Sequence, residues 1–389
     1  MKMKGDRRAE NIERARELNR IACDLISNGD LKEAKDTLTE AIRIAPNLAA
    51  PHTNLGVLHC WDGELDEAIT LHLKARRLDP NLSGPHTNLG VAYAWQGQLD
   101  AAIQSLEVAL QLNPNSAEAH TCLGFAFICK GDLDAAMASS KEAIRLGDGG
   151  EAKLNLGLIY TWQGRFDEAA ELYKAAIETD PTLAEPHNNL GLMYLFRGEI
   201  ENAIDAFKTS IELDGGEEPH TNLGLLYSWH GKLDEAIALH KEAIDMAPHS
   251  AEAHINLGLA YIAQNRLDEA KVMLEGMLRI APDFAEVHAN LGIVYCGEGR
   301  ISEAIDCYEK AGALAEARNN LGIIYFQQGK QDAAIAEFKA AIDMEDLEEA
   351  RTNLSIITSN MQDTDVSKLS ASVIGAPMGV PAAWCEIVD

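Results

Sequence analysis

The chain has 389 residues, 47% of them hydrophobic, and a formal net charge of −28. Charge of that sign repels phosphates and argues against nucleic acid as a partner, and no apolar run approaches the roughly 20 residues of a membrane-spanning helix. The seven cysteines are odd in number and form no C-x-x-C pair, which reads as reduced thiols in a cytoplasmic protein.

Residues 1–14 are charged and expected to fray. They are basic with no apolar segment behind them, unlike a secretory signal. From residue 15 the chain repeats itself. Aligned on the small residue that usually follows Asn-Leu, it shows Ala22, Gly56, Gly90, Gly124, Gly157, Gly191, Gly224, Gly258, Gly292, Gly322 and Ser355. The successive gaps are 34, 34, 34, 33, 34, 33, 34, 34, 30 and 33 residues. A fixed period of this size predicts a solenoid over residues 15–362, one elongated domain with local contacts. Repeats start near 15, 49, 83, 117, 150, 184, 217, 251, 285 and 315; a capping helix over 348–362 and a flexible tail over 363–389 follow.

The clearest copy is 83–116, with Ser83 taken as position 1. His86, Leu89, Gly90 and Tyr93 make one helical stripe; Leu99, Ala102, Ile103, Leu106, Ala109 and Leu110 make a second. Gln96-Gly97 breaks the chain between them and Pro114 ends the unit. One such hairpin cannot bury its own stripe, so neighbours must stack. Repeat one lacks Gly at position 8 and suits a polar cap. Repeats four and six end in glycines instead of proline, at Gly147-Asp148-Gly149-Gly150 and Asp214-Gly215-Gly216. Repeat nine, 285–314, is four residues short, which predicts a truncated second helix.

Leu at 7, Gly at 8, Tyr at 11, Ala at 20, Leu or an aromatic at 24, Ala at 27 and Pro at 32 resemble the tetratricopeptide repeat (TPR). Tyr93, Ala102, Leu106, Ala109 and Pro114 carry the match, as do Tyr160, Tyr173, Ala176 and Pro181. The resemblance covers almost the whole chain and implies an all-α superhelical solenoid of about ten helix-turn-helix repeats with a C-terminal capping helix. Such folds serve many tasks.

A second pattern runs along the first helix of each unit, at positions 2, 6, 9 and 13, opposite the core stripe. Position 6 is asparagine at Asn54, Asn88, Asn155, Asn189, Asn222, Asn256 and Asn290, and again at Asn320 and Asn353. Position 9 is apolar, with Val91, Phe125 and Leu158 among its members. Position 13 gives Trp61, Trp95, Cys129, Trp162, Phe196 and Trp229, so four of the five tryptophans share one place. The aromatics then stop, at Ala263, while the core pattern continues. Position 2 is Glu from Glu118 onward. In TPR proteins these positions line the concave wall. The asparagine row is similar to those of the repeat arm of O-linked N-acetylglucosamine transferase and of kinesin light chain. That resemblance implies a groove for an extended peptide: amides for its backbone, indoles for apolar contact, glutamates for basic side chains. Two structural readings stand beside it. The asparagines could bond neighbouring helices, and the tryptophans could pack against the next repeat.

Histidines occupy position 4 at His52, His86, His120, His187, His220, His254 and His288. One repeat apart, they cannot share an ion, and they read as packing residues, not metal ligands. No Ser/His/Asp set, phosphate loop or paired carboxylates stand out, so neither an enzyme nor a cofactor is expected. The last residues, Glu386-Ile387-Val388-Asp389, look like the acidic C-terminal tetrapeptide of cytosolic heat-shock chaperones, but the reading preferred for the tail is a mobile segment without a role. The reading is a non-catalytic scaffold binding a protein or peptide, basic in character, along its groove. The alternatives are a self-associating structural protein and an accessory arm that presents substrates to a separate enzyme.

Overall fold

The structure, a computed structural model, describes residues 2–147, 149–312 and 314–359, with side chains from residue 9 to 358. Among the described residues there are helices and no strands. Helices α1 (Lys2–Ser27) and α2 (Leu31–Ile44) form the first hairpin, α3 (Ala49–Trp61) and α4 (Leu65–Leu78) the second, and α5 (Ser83–Trp95) and α6 (Leu99–Leu112) the third. Then come α7 (Ala117–Lys130) with α8 (Leu133–Leu146) and α9 (Glu151–Trp162) with α10 (Phe166–Thr179), followed along the chain by α11 (Glu185–Phe196) and α12 (Ile200–Glu212). The series continues with α13 (Glu217–Trp229) and α14 (Leu233–Met246), α15 (Ala251–Ala263) and α16 (Leu267–Leu278), and α17 (Ala285–Gly297) and α18 (Ile301–Lys310). It ends with α19 (Ala315–Gln327), α20 (Gln331–Met344) and the single helix α21 (Glu348–Ser359).

The hairpin closes on one recurring contact. A Cβ added at Gly90 would lie 2.4 Å from Leu106 Cγ, and at Gly157 it would lie 2.5 Å from Tyr173 Cε1. Position 8 therefore has to be small because the side chain at position 24 fills the space against its backbone. The turn between the helices needs left-handed backbone. Gly97 supplies it at φ +76°, and in repeat eight Asn265 does so at φ +58°; asparagine is among the few residues with a side chain that visit this region readily. Pro51 and Pro85 sit in the first turns of α3 and α5, where a helix does not use the missing N–H.

Contacts divide the chain into two compact units, Met1–Met193 and Tyr194–Asp389. In the first, α2, α4, α6 and α8 each pack against their own first helix and the next one, while α1, α3, α5, α7 and α9 also touch in series. The second repeats this scheme, with α13, α15 and α17 in series and α14 and α16 beside them. The cores are built across repeats: Ala22, Leu38, Leu55 and Leu58 form one cluster of the first unit, and Tyr261, Leu274, Val287 and Leu291 belong to one of the second.

The charged segment 1–14 is helical from Lys2, within a 26-residue α1. Side-chain pairs such as Arg20 with Glu17 and Asp24 line the later part of the same helix, a spacing that stabilises helix there. Helix α18 has 10 residues where α4 has 14. Residues 360–362 and the tail with its terminal tetrapeptide lie outside the described residues.

Candidate functional site

Trp61 ends α3, Trp95 ends α5, and Phe125 stands one turn before the end of α7. They are 54%, 52% and 40% exposed. Val91 and Leu158 are half-buried on the same helix faces, and Trp162 is half-buried against a cluster that includes Ile128 and Ile159. In the second unit Phe196 and Trp229 are exposed, the latter at 65%. Large apolar side chains left in water on successive helices are uncommon unless something covers them. The first unit thus presents an open row of rings on adjoining helices, able to take apolar side chains flat and cations face-on.

The asparagines are placed differently from the rings. Asn155, Asn222, Asn256 and Asn290 are 0–4% exposed, while Asn54, Asn88 and Asn189 are half-buried. Asn155 Nδ2 donates to the Thr121 carbonyl at 3.1 Å, Asn54 Nδ2 to Asn19 Oδ1 at 3.0 Å, and Asn353 Nδ2 to Asn319 Oδ1 at 2.9 Å. In all three the acceptor is position 5 of the preceding repeat. In these three the side chain ties one first helix to the one before it, whereas Asn256 and Asn290 are as deeply buried with neither amide atom bonded; in both cases burial keeps the amide off an open surface. A helical wheel drawn for one partner misses this, because a stacked first helix has neighbours on more than one side. The same bonding accounts for the burial of the Asn319 amide at position 5, while the Thr87 hydroxyl at that position donates to the Ser83 carbonyl of its own helix.

The position-4 histidines bond the turn behind them. Nε2 of His52, His120 and His288 lies 3.0, 3.2 and 2.7 Å from the carbonyls of Pro46, Pro114 and Pro282. A carbonyl only accepts, so Nε2 carries the proton, and burial holds His52 and His86 below the usual imidazole range. At two of the turns that lack a proline a cation replaces the ring, while after Gly216 the ring stays, with His220 Nδ1 2.8 Å from the Gly216 carbonyl. Arg318 donates Nε to the Gly312 carbonyl at 3.2 Å, again six residues back. Lys153 donates to the Ala175 carbonyl and Thr179 Oγ1 at 3.2 and 2.6 Å. Among the described residues, no group of three His, Cys, Asp or Glu could hold a metal ion.

The sequence reading missed two features. A polar clasp runs beside the aromatic row: Gln96 Nε2 donates to Asp66 Oδ1, Lys130 Nζ to Asp100 Oδ1, and Gln264 Nε2 to Asp234 Oδ1, each at 2.7 Å. Each clasp joins position 14 to position 18 of the preceding repeat, and the recurrence of those residue types was a readable signal. Lys130 holds the Asp100 carboxyl below the usual range. The second feature is the pair His72 and His240, both at 0% exposure with neither ring nitrogen bonded and both pushed down to about 4 by burial. They occupy position 24, against Gly56 and Gly224.

Two carboxylates stand at the N-terminal ends of first helices in this unit, opposite the helix ends that carry Trp61 and Trp95. Glu118 and Glu151 lie exposed in the first turns of α7 and α9. A carboxylate there also favours the helix dipole, which gives these residues a local reason as well.

Family models described as tetratricopeptide repeat match residues 18–48, 184–216, 230–292, 285–317 and 315–346, and one described as TPR repeat matches 93–131 and 157–196. A search of curated proteins gave no match. Among solved structures, a tetratricopeptide repeat protein from Parabacteroides merdae ATCC 43184 is 20% identical, with a TM-score of 0.51 over 64% of this chain and 99% of that one. MamA is 31% identical over 41% of this chain and 95% of its own, with a TM-score of 0.35. The APC/C hetero-tetramer Cut9-Hcn1 is 13% identical over 88% and 95%, with a TM-score of 0.47. Among the described residues no helix is long and apolar enough to cross a membrane.

Proposed function

Because this chain belongs to the tetratricopeptide repeat family, a fold used widely for protein interaction, we propose that it is a non-catalytic scaffold that holds an extended segment of a partner protein on the aromatic row of its first unit. The observation that carries the reading is the exposure of Trp61, Trp95 and Phe125 on the adjoining helices α3, α5 and α7. Burying one such ring contributes on the order of 2 kcal/mol through apolar area alone. The segment carries lysine or arginine beside apolar residues, since the rings accept cations face-on and the formal net charge is −28. The half-buried Val91 and Leu158 contribute to the floor; the buried asparagines position the helices and do not touch the ligand.

The test is selection from a displayed library of random peptides on wild-type protein and on the Trp61→Ala/Trp95→Ala variant. Wild type should enrich basic, apolar-containing peptides, and the variant should lose them while its far-UV spectrum and melting temperature stay close to wild type. Equal enrichment on both proteins would refute the site, and acidic winners would refute the assigned ligand chemistry.

A further inference from the structure

Helix α16 of the second unit carries a face that the repeat does not use. Val272 on the helix is 59% exposed and Ile280, in the turn just after it, 58%, more than any other large apolar residue among the described ones except Trp229. Position 22, where Val272 stands, is polar or alanine in the other repeats (Asp36, Gln104, Asp306 and Ala336 are examples). One turn on, Gly276 stands in the last turn of the helix. The position-8 glycines are small because a neighbour fills their space, but a Cβ at Gly276 would meet only the Arg279 guanidinium, at 3.7 Å.

We propose that this face is where two copies of the chain meet, α16 against α16, antiparallel about a two-fold axis. The argument is reciprocity. Val272 is the exposed knob and Gly276 the notch, one turn apart on the same face. Antiparallel pairing seats Val272 of each copy over Gly276 of the other. The same register brings Arg279 opposite the first turn of the other copy's α16. There Asp268 is exposed, and among the described residues neither Asp268 nor Arg279 makes an ion pair. Knob, notch and both charges are therefore satisfied twice by a single operator, which is the signature of an isologous contact. One helix pair falls below the roughly 1,200 Å² of a stable standard interface, so the dimer dissociates on dilution. The contact is independent of the aromatic row, which lies on the first unit.

Sedimentation velocity on the full chain over about 1 to 300 µM, the range of weak association, should show monomer converting to dimer. Val272→Asp, and Gly276→Leu, which blocks the notch while favouring helix, should each move the midpoint at least about tenfold higher with the melting temperature kept. Asp268→Arg and Arg279→Asp should each weaken the dimer, and the double swap should restore it. A monomer at every concentration overturns the proposal, as does a dimer indifferent to Val272→Asp and Gly276→Leu.

Discussion

Acidification should destabilise each unit through one buried imidazole, His72 in the first and His240 in the second. Both are fully buried, their ring nitrogens find no partner, and burial holds them near 4 where a free histidine titrates at 6.5. The unfolded chain takes up a proton below 6.5 that the folded ring refuses until about 4. Stability is therefore complete above 6.5 and is lost as pH falls through that window. Between pH 7 and 5 the unfolded state gains nearly a full proton per ring, which over about 1.5 pH units costs roughly 2 kcal/mol each. Leucine fills the same slot against glycine at Leu106 and Leu274, so His72→Leu and His240→Leu place a tested side chain there. Urea unfolding of wild type, both single variants and the double variant should be followed at pH 7, 6 and 5. Each leucine should remove about 2 kcal/mol of the acid loss and should also stabilise at pH 7, where it replaces unpartnered ring nitrogens. The other histidines titrate in every variant, so the difference between proteins isolates these two. An identical pH slope in wild type and the double variant would refute the argument.

Two further outcomes test how the repeats are held. Gly90→Ala puts a methyl 2.4 Å from Leu106 Cγ and should cost about 1–3 kcal/mol by overpacking; Leu106→Ala should recover part of it, and simple additivity of the two in thermal unfolding would deny the contact. Asn155→Ala removes the bond to the Thr121 carbonyl and should cost about 1 kcal/mol without altering which peptides are selected; lost selection at unchanged stability would return the asparagine to the ligand.

The amino-acid sequence alone determined the repeat and, through it, the fold. The period of Leu, Gly, Tyr, Ala and Pro is local: each position is set by contacts within one hairpin or with the next, so the pattern in the chain is the pattern in space. The histidine at position 4 belongs to this class, because its partner is a nearby carbonyl, six residues back for His52, His120 and His288 and four back for His220 and His254. Which outward residues remain free was decided only by the tertiary structure. Asn155 and Trp162 share a face on the wheel of α9, yet Asn155 is buried against α7 while Trp61 and Trp95, at the position Trp162 holds, stay more than half exposed. The reason is that exposure depends on neighbours a whole repeat away. Asparagine at position 6 lies mid-helix, where first helices touch, and position 13 lies at the end, where the next turn leaves room. The unbonded nitrogens of His72 and His240 depend on packing in the same way: sequence shows a ring at position 24, and only the surrounding helices show that nothing polar reaches it.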